Sequence, residues 1–196
     1  MPVIWDLCSG LGGWSEAFVQ QGWTVCRIET NEDLQHVPHT LMLDVLEWEE
    51  WAHDLPAPDV IVASPPCRDY SNAYSAPRSI AQRENVDYKP DMSIVLACKD
   101  IIDHFTPLWW VIENVSGSVK YFQPELGAFR QKVGPFFLWG NFPFLHMTVD
   151  WKHSKYEGDV HSSNPMRANL RALIPFEVSF ELFKTLKCQA TLEEWL

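Results

Sequence analysis

The sequence predicts an α/β fold built on a doubly wound, mostly parallel sheet, and three observations predict it. Short apolar runs alternate with segments of helical spacing, the pattern of strand–helix units. Residues 3–7, 60–63 and 108–112 are too uniformly apolar to leave a wet face, as in strands buried on both sides. Gly10, Gly12 and Gly13 follow the first run directly, as at a strand-to-helix turn.

Residues 3–7 are read as the first strand. Trp14, Ala17 and Phe18 give helical spacing over 14–21, and Gly22 can end that helix. Residues 23–29 make a second strand that stops at Glu29, and 41–45 a short third. Val60-Ile61-Val62-Ala63 is β-branched and stops at Ser64-Pro65-Pro66. Residues 68–91 are polar, carry two prolines and show no clear period; a loop this long in a compact domain is functional or mobile. A helix is expected over 92–105, with Pro107 beyond it, then a strand over 108–112 ending at Glu113. Residues 135–139 and 142–145 read as a hairpin around Gly140-Asn141, and 176–186 as a final amphipathic helix. No repeat or linker divides the chain, so 1–196 is expected to be a single catalytic domain.

Composition narrows the class. A hydrophobic fraction of 46% and ten Trp in 196 residues fit a folded globule with a substantial core. Five cysteines lack metal-type spacing, no metal site is expected, and there is no signal peptide or membrane-length apolar run, which together fit a reduced, cytoplasmic protein. The net charge of -11 argues against a strong polyanion binder. However, residues 29–59 hold nine carboxylates and no Lys or Arg, which leaves -2 for the remainder. Weak, salt-sensitive affinity for duplex DNA is expected.

In open parallel sheets, ligands bind where strands end. Asp6 with its glycine turn, Glu29, the Pro66-Cys67 loop and Glu113 all fall at that edge. The glycines let backbone approach a ligand, or simply make the turn. Glu29 can accept two ribose hydroxyls, or stand as a solvated strand-end acid. Asp44 can accept an adenine amino group, or cap a turn. Cys67 follows two prolines beside a polar loop, the setting of a nucleophile if its thiol pKa is lowered, with Arg68 adjacent to help. Glu113 ends a very apolar strand, so its pKa should be raised and it can hold a proton; Asn114 can hold that acid or its loop in place.

These residues resemble the cytosine-5 DNA methyltransferase family. Asp6-Leu7-Cys8-Ser9-Gly10-Leu11-Gly12-Gly13-Trp14-Ser15 is similar to its motif D-L-F-x-G-x-G-G-x-S, with Cys8 in the aromatic position. Pro66-Cys67-Arg68-Asp69-Tyr70-Ser71 resembles P-C-Q-x-F-S, Glu113-Asn114-Val115 matches E-N-V, and 173–178 resemble G-N-x-V-P-P-x-L. The resemblance implies a Rossmann-like methyltransferase fold and S-adenosylmethionine as cofactor. It places the methionine part on Cys8, Ser9, Gly10, Leu11, Gly12 and Gly13, the ribose on Glu29 and the adenine on Asp44 and Val45, with Asp6 and Pro66 also at the cofactor. It makes Cys67 the nucleophile at C6 of cytosine, Glu113 the acid at N3, and Asn114 their support, with DNA, duplex or single-stranded, as partner.

The chain also departs from the family. The arginines of Q-x-R-x-R are absent from 131–135, and Arg68, Arg78, Arg83 and Arg130 are candidate replacements. Arg68, Ser71, Arg78 and Arg83 are assigned to substrate. About 25 residues, 146–170, stand where a large target-recognition region is usual, a compact, phage-like form. That implies a short recognition sequence, a single strand, a free nucleotide, tRNA or a separate specificity subunit. Tyr70, Tyr74, Tyr88, Trp151 and Tyr156 can stack an unpaired base or serve in packing. An amino-methyltransferase would use Ser64-Pro65-Pro66 but needs an aromatic where Cys67 stands. An inactive regulatory module would explain the lost arginines but not an intact Cys67 and Glu113. An NAD-dependent oxidoreductase fits neither the turn spacing nor the Pro-Pro-Cys loop.

Overall fold

A computed structural model describes residues 1–147 and 166–193 of the chain. Its seven-stranded sheet has the order β3-β2-β1-β4-β5-β7-β6. The strands are β1 (Val3–Leu7), β2 (Thr24–Glu29), β3 (Thr40–Met42), β4 (Val60–Ala63), β5 (Trp109–Asn114), β6 (Gln131–Val133) and β7 (Phe136–Asn141). The first five pair in parallel, and β7 runs antiparallel to both β5 and β6. The expected doubly wound, mostly parallel sheet is therefore present. From β1 the chain winds outward to β2 and β3, then returns to place β4 on the other flank of β1. The switch point lies between β1 and β4, where such sheets open a crevice at the strands' carboxyl ends.

Alternation along β1 sorts the two cores. Trp5 and Leu7 enter one, with Cys98, Ile101 and Phe122; Ile4 enters the other, with Trp14, Phe18, Val178 and Leu182. The first layer contains α4 (Ser93–Phe105) and α5 (Val119–Leu126), the second α1 (Glu16–Gln20) and α7 (Phe176–Glu193). With helices on both faces, β1 and β4 are buried throughout, which accounts for their apolar character, Asp6 of β1 apart. The remaining helices are α2 (Trp48–Trp51), α3 (Pro77–Arg83) and α6 (Arg167–Ala172).

Three expectations are corrected. Residues 68–91 are not wholly loop: Pro77 starts α3, where its fixed φ and missing N–H suit a first helical turn. The hairpin turns at Gly134, with φ +55°, not at Gly140-Asn141. Gly140 lies inside β7 opposite Val111, because a Cβ there would come 2.0 Å from the Trp110 carbonyl oxygen; the glycine permits close strand contact. Finally, β3 ends at Met42, since the Asp44 side chain accepts from the Leu46 amide (2.9 Å) and opens a 3-10 turn. Residues 119–126, which carry no sequence-based expectation, form α5 with Pro124 inside it. Most of the 146–170 segment, 148–165, lies outside the described residues, with Trp151 and Tyr156. No described helix is long and apolar enough to cross a membrane.

Candidate active site

A cavity of about 320 Å³ opens at the switch point, within the range of small-molecule clefts. The turns after β1 and β2 and the loop after β4 form its walls, and Ala172, Leu173 and Ile174 close it. Of the residues assigned to the cofactor, Cys8, Ser9, Gly10, Leu11, Gly13, Glu29, Asp44, Val45 and Pro66 line it. Asp6 and Gly12 do not, and the geometry supplies the reason.

Asp6 faces the α1 side of the sheet, beside its register partner Arg27. Ser15 stands between them: its hydroxyl donates to Asp6 Oδ2 at 2.6 Å and accepts from Arg27 Nε at 2.8 Å. That use leaves Ser15 no capping bond to α1. Arg27 also donates to the Gly12 carbonyl and to Glu16, each at 3.0 Å. A Cβ on Gly12 would come 2.2 Å from Arg27 Cζ, and one on Gly13 would come 2.3 Å from the Ile174 carbonyl oxygen. Only Gly10 faces open space, with φ +54°. The three glycines thus have separate reasons: one admits a buried guanidinium, one admits the 173–174 backbone, and one leaves the cavity open. Burial pushes Asp6 up to about 7 despite the Ser15 bond and Arg27.

The cavity has both polar and apolar character. Glu29 accepts from the Gly10 amide at Oε2 (2.8 Å) and from the Thr30 and Asn31 amides at Oε1 (2.8 and 2.9 Å). A carboxylate offers about four lone-pair sites, so capacity remains at Oε2. Ser9 Oγ is buried and has no hydrogen-bond partner among the described residues. Asp44 spends Oδ1 on its turn, the capping alternative, while still lining the cavity. Leu43, Ile94 and Leu173 supply apolar wall. The space beside Gly10, a Ser9 hydroxyl without a partner among the described residues, two carboxylates and an apolar wall fit a nucleoside bearing an amino-acid arm. The Cys8 thiol faces Cys98; that contact and burial push it well above the usual thiol range.

The loop after β4 brings Cys67 to the same cavity. Asn114, 1% exposed, donates to the Pro65 carbonyl at 2.9 Å. A relay also crosses the site: the Trp14 indole donates to Ser64 Oγ (3.0 Å), and Ser64 donates to Glu113 Oε2 (3.0 Å). Burial pushes Glu113 up to about 7, against the lowering effect of the Ser64 bond, as expected for an acid ending an apolar strand. Cys67 runs opposite to expectation: burial and then the Glu113 charge push its thiol up, because Arg68 is exposed and the near charge is negative.

The residues assigned to substrate are spread out. Arg68 lines the cofactor cavity. Ser71 Oγ accepts from the Ala73 amide (3.0 Å), and Arg83 lies 3.9 Å over the exposed Tyr74 ring. Arg78 reaches inward, donating to the Tyr70 carbonyl (3.4 Å) and to Asn72 Oδ1. Tyr70 is a packing residue: it is 3% exposed, donates to the Asp91 carbonyl (2.7 Å) and packs edge-on to Phe122. Gln131, where the missing arginine motif begins, instead pairs twice with the Leu145 backbone in edge strand β6. Sequence reasoning missed Trp14 and Ser64 as partners of Glu113, for no local signal links residues 49 and more apart. No described group of three or more His, Cys, Asp or Glu could hold a metal.

Among solved structures, a DNA modification methyltransferase encoded within an Escherichia coli prophage is 20% identical, with a TM-score of 0.44, over 71% of this chain and 46% of its own. A triple mutant of DNMT2 from Spodoptera frugiperda is 14% identical, with a TM-score of 0.43, over 76% of this chain and 54% of its own. The chain thus spans about half the length of these structures. No curated protein matches the chain. Residues 3–125, from β1 to the end of α5, match the sequence model of the C-5 cytosine-specific DNA methylases, and the chain belongs to that family.

Proposed function

We propose that this protein transfers a methyl group from S-adenosylmethionine to carbon 5 of a cytosine in DNA. The observation that carries the reading is the convergence of Cys67 and Glu113. Cys67 follows β4 and Glu113 lies near the end of the adjacent parallel strand β5, and the Glu113 charge is near enough to raise the Cys67 thiol.

S-adenosylmethionine, when bound, supplies an electrophilic methyl group on a sulfonium. Glu29 and Asp44 would hold its ribose and adenine, and the backbone at Gly10 its amino-acid end. Cys67 gives its proton to solvent and adds as the thiolate to C6 of the cytosine, and the electrons of the C5–C6 double bond shift into the ring. Glu113 donates a proton at N3, so the ring does not carry the charge. C5 becomes nucleophilic and takes the methyl group. Loss of the C5 proton and cleavage of the S–C6 bond restore the double bond and release Cys67. A carboxyl poised at about 7 can both give and regain that proton near neutrality. While Glu113 still holds that proton it carries no negative charge to push the Cys67 thiol up, so the state ready to act as the acid also favours the thiolate. Asn114 holds the loop and Ser64 the acid.

The test uses DNA containing 5-fluorocytosine, whose C5 substituent cannot leave. With S-adenosylmethionine present, the wild-type chain is expected to form an adduct that survives denaturation. The variants Cys67→Ser and Glu113→Gln should form little or none. Methylation with no adduct would point to exocyclic nitrogen chemistry and refute the reading.

A further inference from the structure

A second groove, of about 440 Å³, shares no lining residue with the cofactor cavity. Its walls are α3, the turn after it, and the start of α5: Arg78, Gln82, Tyr88, Lys120 and Tyr121, with Asp87 as its one acid. The nucleophile's loop borders both spaces. Cys67 and Arg68 line the cavity, while Arg78 of the groove holds the Tyr70 carbonyl and Asn72. Gly117, four residues after Glu113, makes this contact possible. A Cβ there would come 1.9 Å from the Tyr70 carbonyl oxygen and 2.6 Å from Arg78 Nη1.

The groove's chemistry is mixed in a specific way. Lys120 is exposed, with its ammonium 4.4 Å from the Tyr121 ring centroid. The Tyr121 hydroxyl is enclosed by protein yet has no hydrogen-bond partner among the described residues. Burial and then the Asp69 charge push the half-buried Tyr88 hydroxyl up, with Arg68 opposing. Two cations, two phenols and the Gln82 amide line this open groove. The acid-rich stretch 29–59 passes through β3, at one edge of the sheet, whereas the groove's elements follow β4 and β5. The groove's lining carries two cations, Arg78 and Lys120, against one acid, Asp87.

We propose that this groove holds the unpaired strand flanking the target cytosine, its phosphates on Arg78 and Lys120 and a base on the face of Tyr88. A duplex is gripped by a broad basic face that neutralises many phosphates, whereas a single strand needs few cations and aromatic faces on which to stack. The proposal rests on the cytosine-methylating reading, and it makes single-stranded DNA the favoured substrate.

The test is fluorescence anisotropy with a labelled single-stranded DNA 12-mer carrying one central cytosine, alone and in duplex, with S-adenosylhomocysteine present. The wild-type protein should bind the single strand about tenfold or more tighter than the duplex. Lys120→Glu and Tyr88→Ala should each weaken single-strand binding about tenfold, Lys120→Glu also lowering the salt slope by about one. Tyr88→Phe should bind as wild type, since stacking needs the ring and not the hydroxyl. Calorimetric binding of S-adenosylhomocysteine should be unchanged in all three, which reports an intact fold. Equal affinity for the duplex, or unaltered binding by Lys120→Glu and Tyr88→Ala, would overturn the groove. If the wild type methylates cytosine while both variants keep its KM for the single strand, the groove fails and the reaction stands. If the wild type methylates no cytosine but the variants lose strand binding, the reaction fails and the groove stands.

Discussion

The side-chain amide of Asn114, at the end of β5, donates a 2.9 Å hydrogen bond to the carbonyl of Pro65, just beyond β4. Its oxygen accepts from the Val115 amide at 2.9 Å, so both ends of the side chain are occupied. Cys67 follows Pro65 by two residues, the first of them a second proline. One buried side chain thus sets the position of the nucleophile's loop against the strand that carries Glu113.

Asn114→Ala should leave the Pro65 carbonyl and the Val115 amide without these partners. The expected loss of stability is about 1–3 kcal/mol, read by urea unfolding. Methyl transfer should fall about a hundredfold through kcat, because a loop misplaced by an ångström spoils the attack. Binding of S-adenosylhomocysteine should be little changed, since Asn114 does not line that cavity.

Glu113→Gln should be more stable than wild type at pH 8 and nearly equal to it at pH 4. Glu113 is raised in the folded chain from an ordinary 4.5 to about 7, so the folded state holds its proton longer than the unfolded state. Unfolding therefore releases a proton between those values, and stability falls as pH rises from about 4.5 to 7. The full difference corresponds to about 3 kcal/mol, and thermal unfolding of both proteins across pH 4–8 would show it. Parallel curves would mean that Glu113 is not buried as a shifted acid.

Cys67 should react slowly with iodoacetamide at pH 7, because burial and the Glu113 charge favour the neutral thiol. Removing that charge should lower the thiol's pKa. Labelling of Cys67 should accordingly be several-fold faster in Glu113→Gln than in wild type at pH 8, and the two should converge below about pH 6. Mass spectrometry of the Cys67 peptide separates this site from the exposed Cys188.

Gly10→Ala and Gly12→Ala should fail differently. Both positions have positive φ, +54° and +75°, which costs an alanine about 1–2 kcal/mol. At Gly12 the new methyl also meets the Arg27 guanidinium, which is fixed by Ser15, Glu16 and backbone, so total loss should reach about 3 kcal/mol or more. At Gly10 no protein atom is within 4 Å, so stability should fall by the strain alone while S-adenosylhomocysteine affinity drops at least tenfold. Chemical denaturation paired with calorimetry distinguishes the two outcomes.

Local chemistry explains what was legible beforehand. The strands β1, β4 and β5 announce themselves because burial on both faces demands apolar runs. The placement of Glu29, Cys67 and Glu113 at one edge followed from where those runs stop. The raised acid followed from its apolar surroundings. The polar stretch 68–91 with its two prolines reads as loop, yet Pro77 opens α3, a helix whose polar residues show no period. Gly140-Asn141 misled because a strand glycine that admits a neighbouring carbonyl looks the same as a turn glycine.

By itself the sequence determined the parallel part of the sheet, the crevice edge and the residue types that converge there, because strand propensity and burial depend on near neighbours. Only the tertiary structure decided that Gly12 serves Arg27, that Gly13 serves Ile174, that Ser64 and Trp14 hold Glu113, and that the Cys67 thiol is raised instead of lowered. Each of those depends on a partner brought close by folding, and a linear order of residues carries no distance between them.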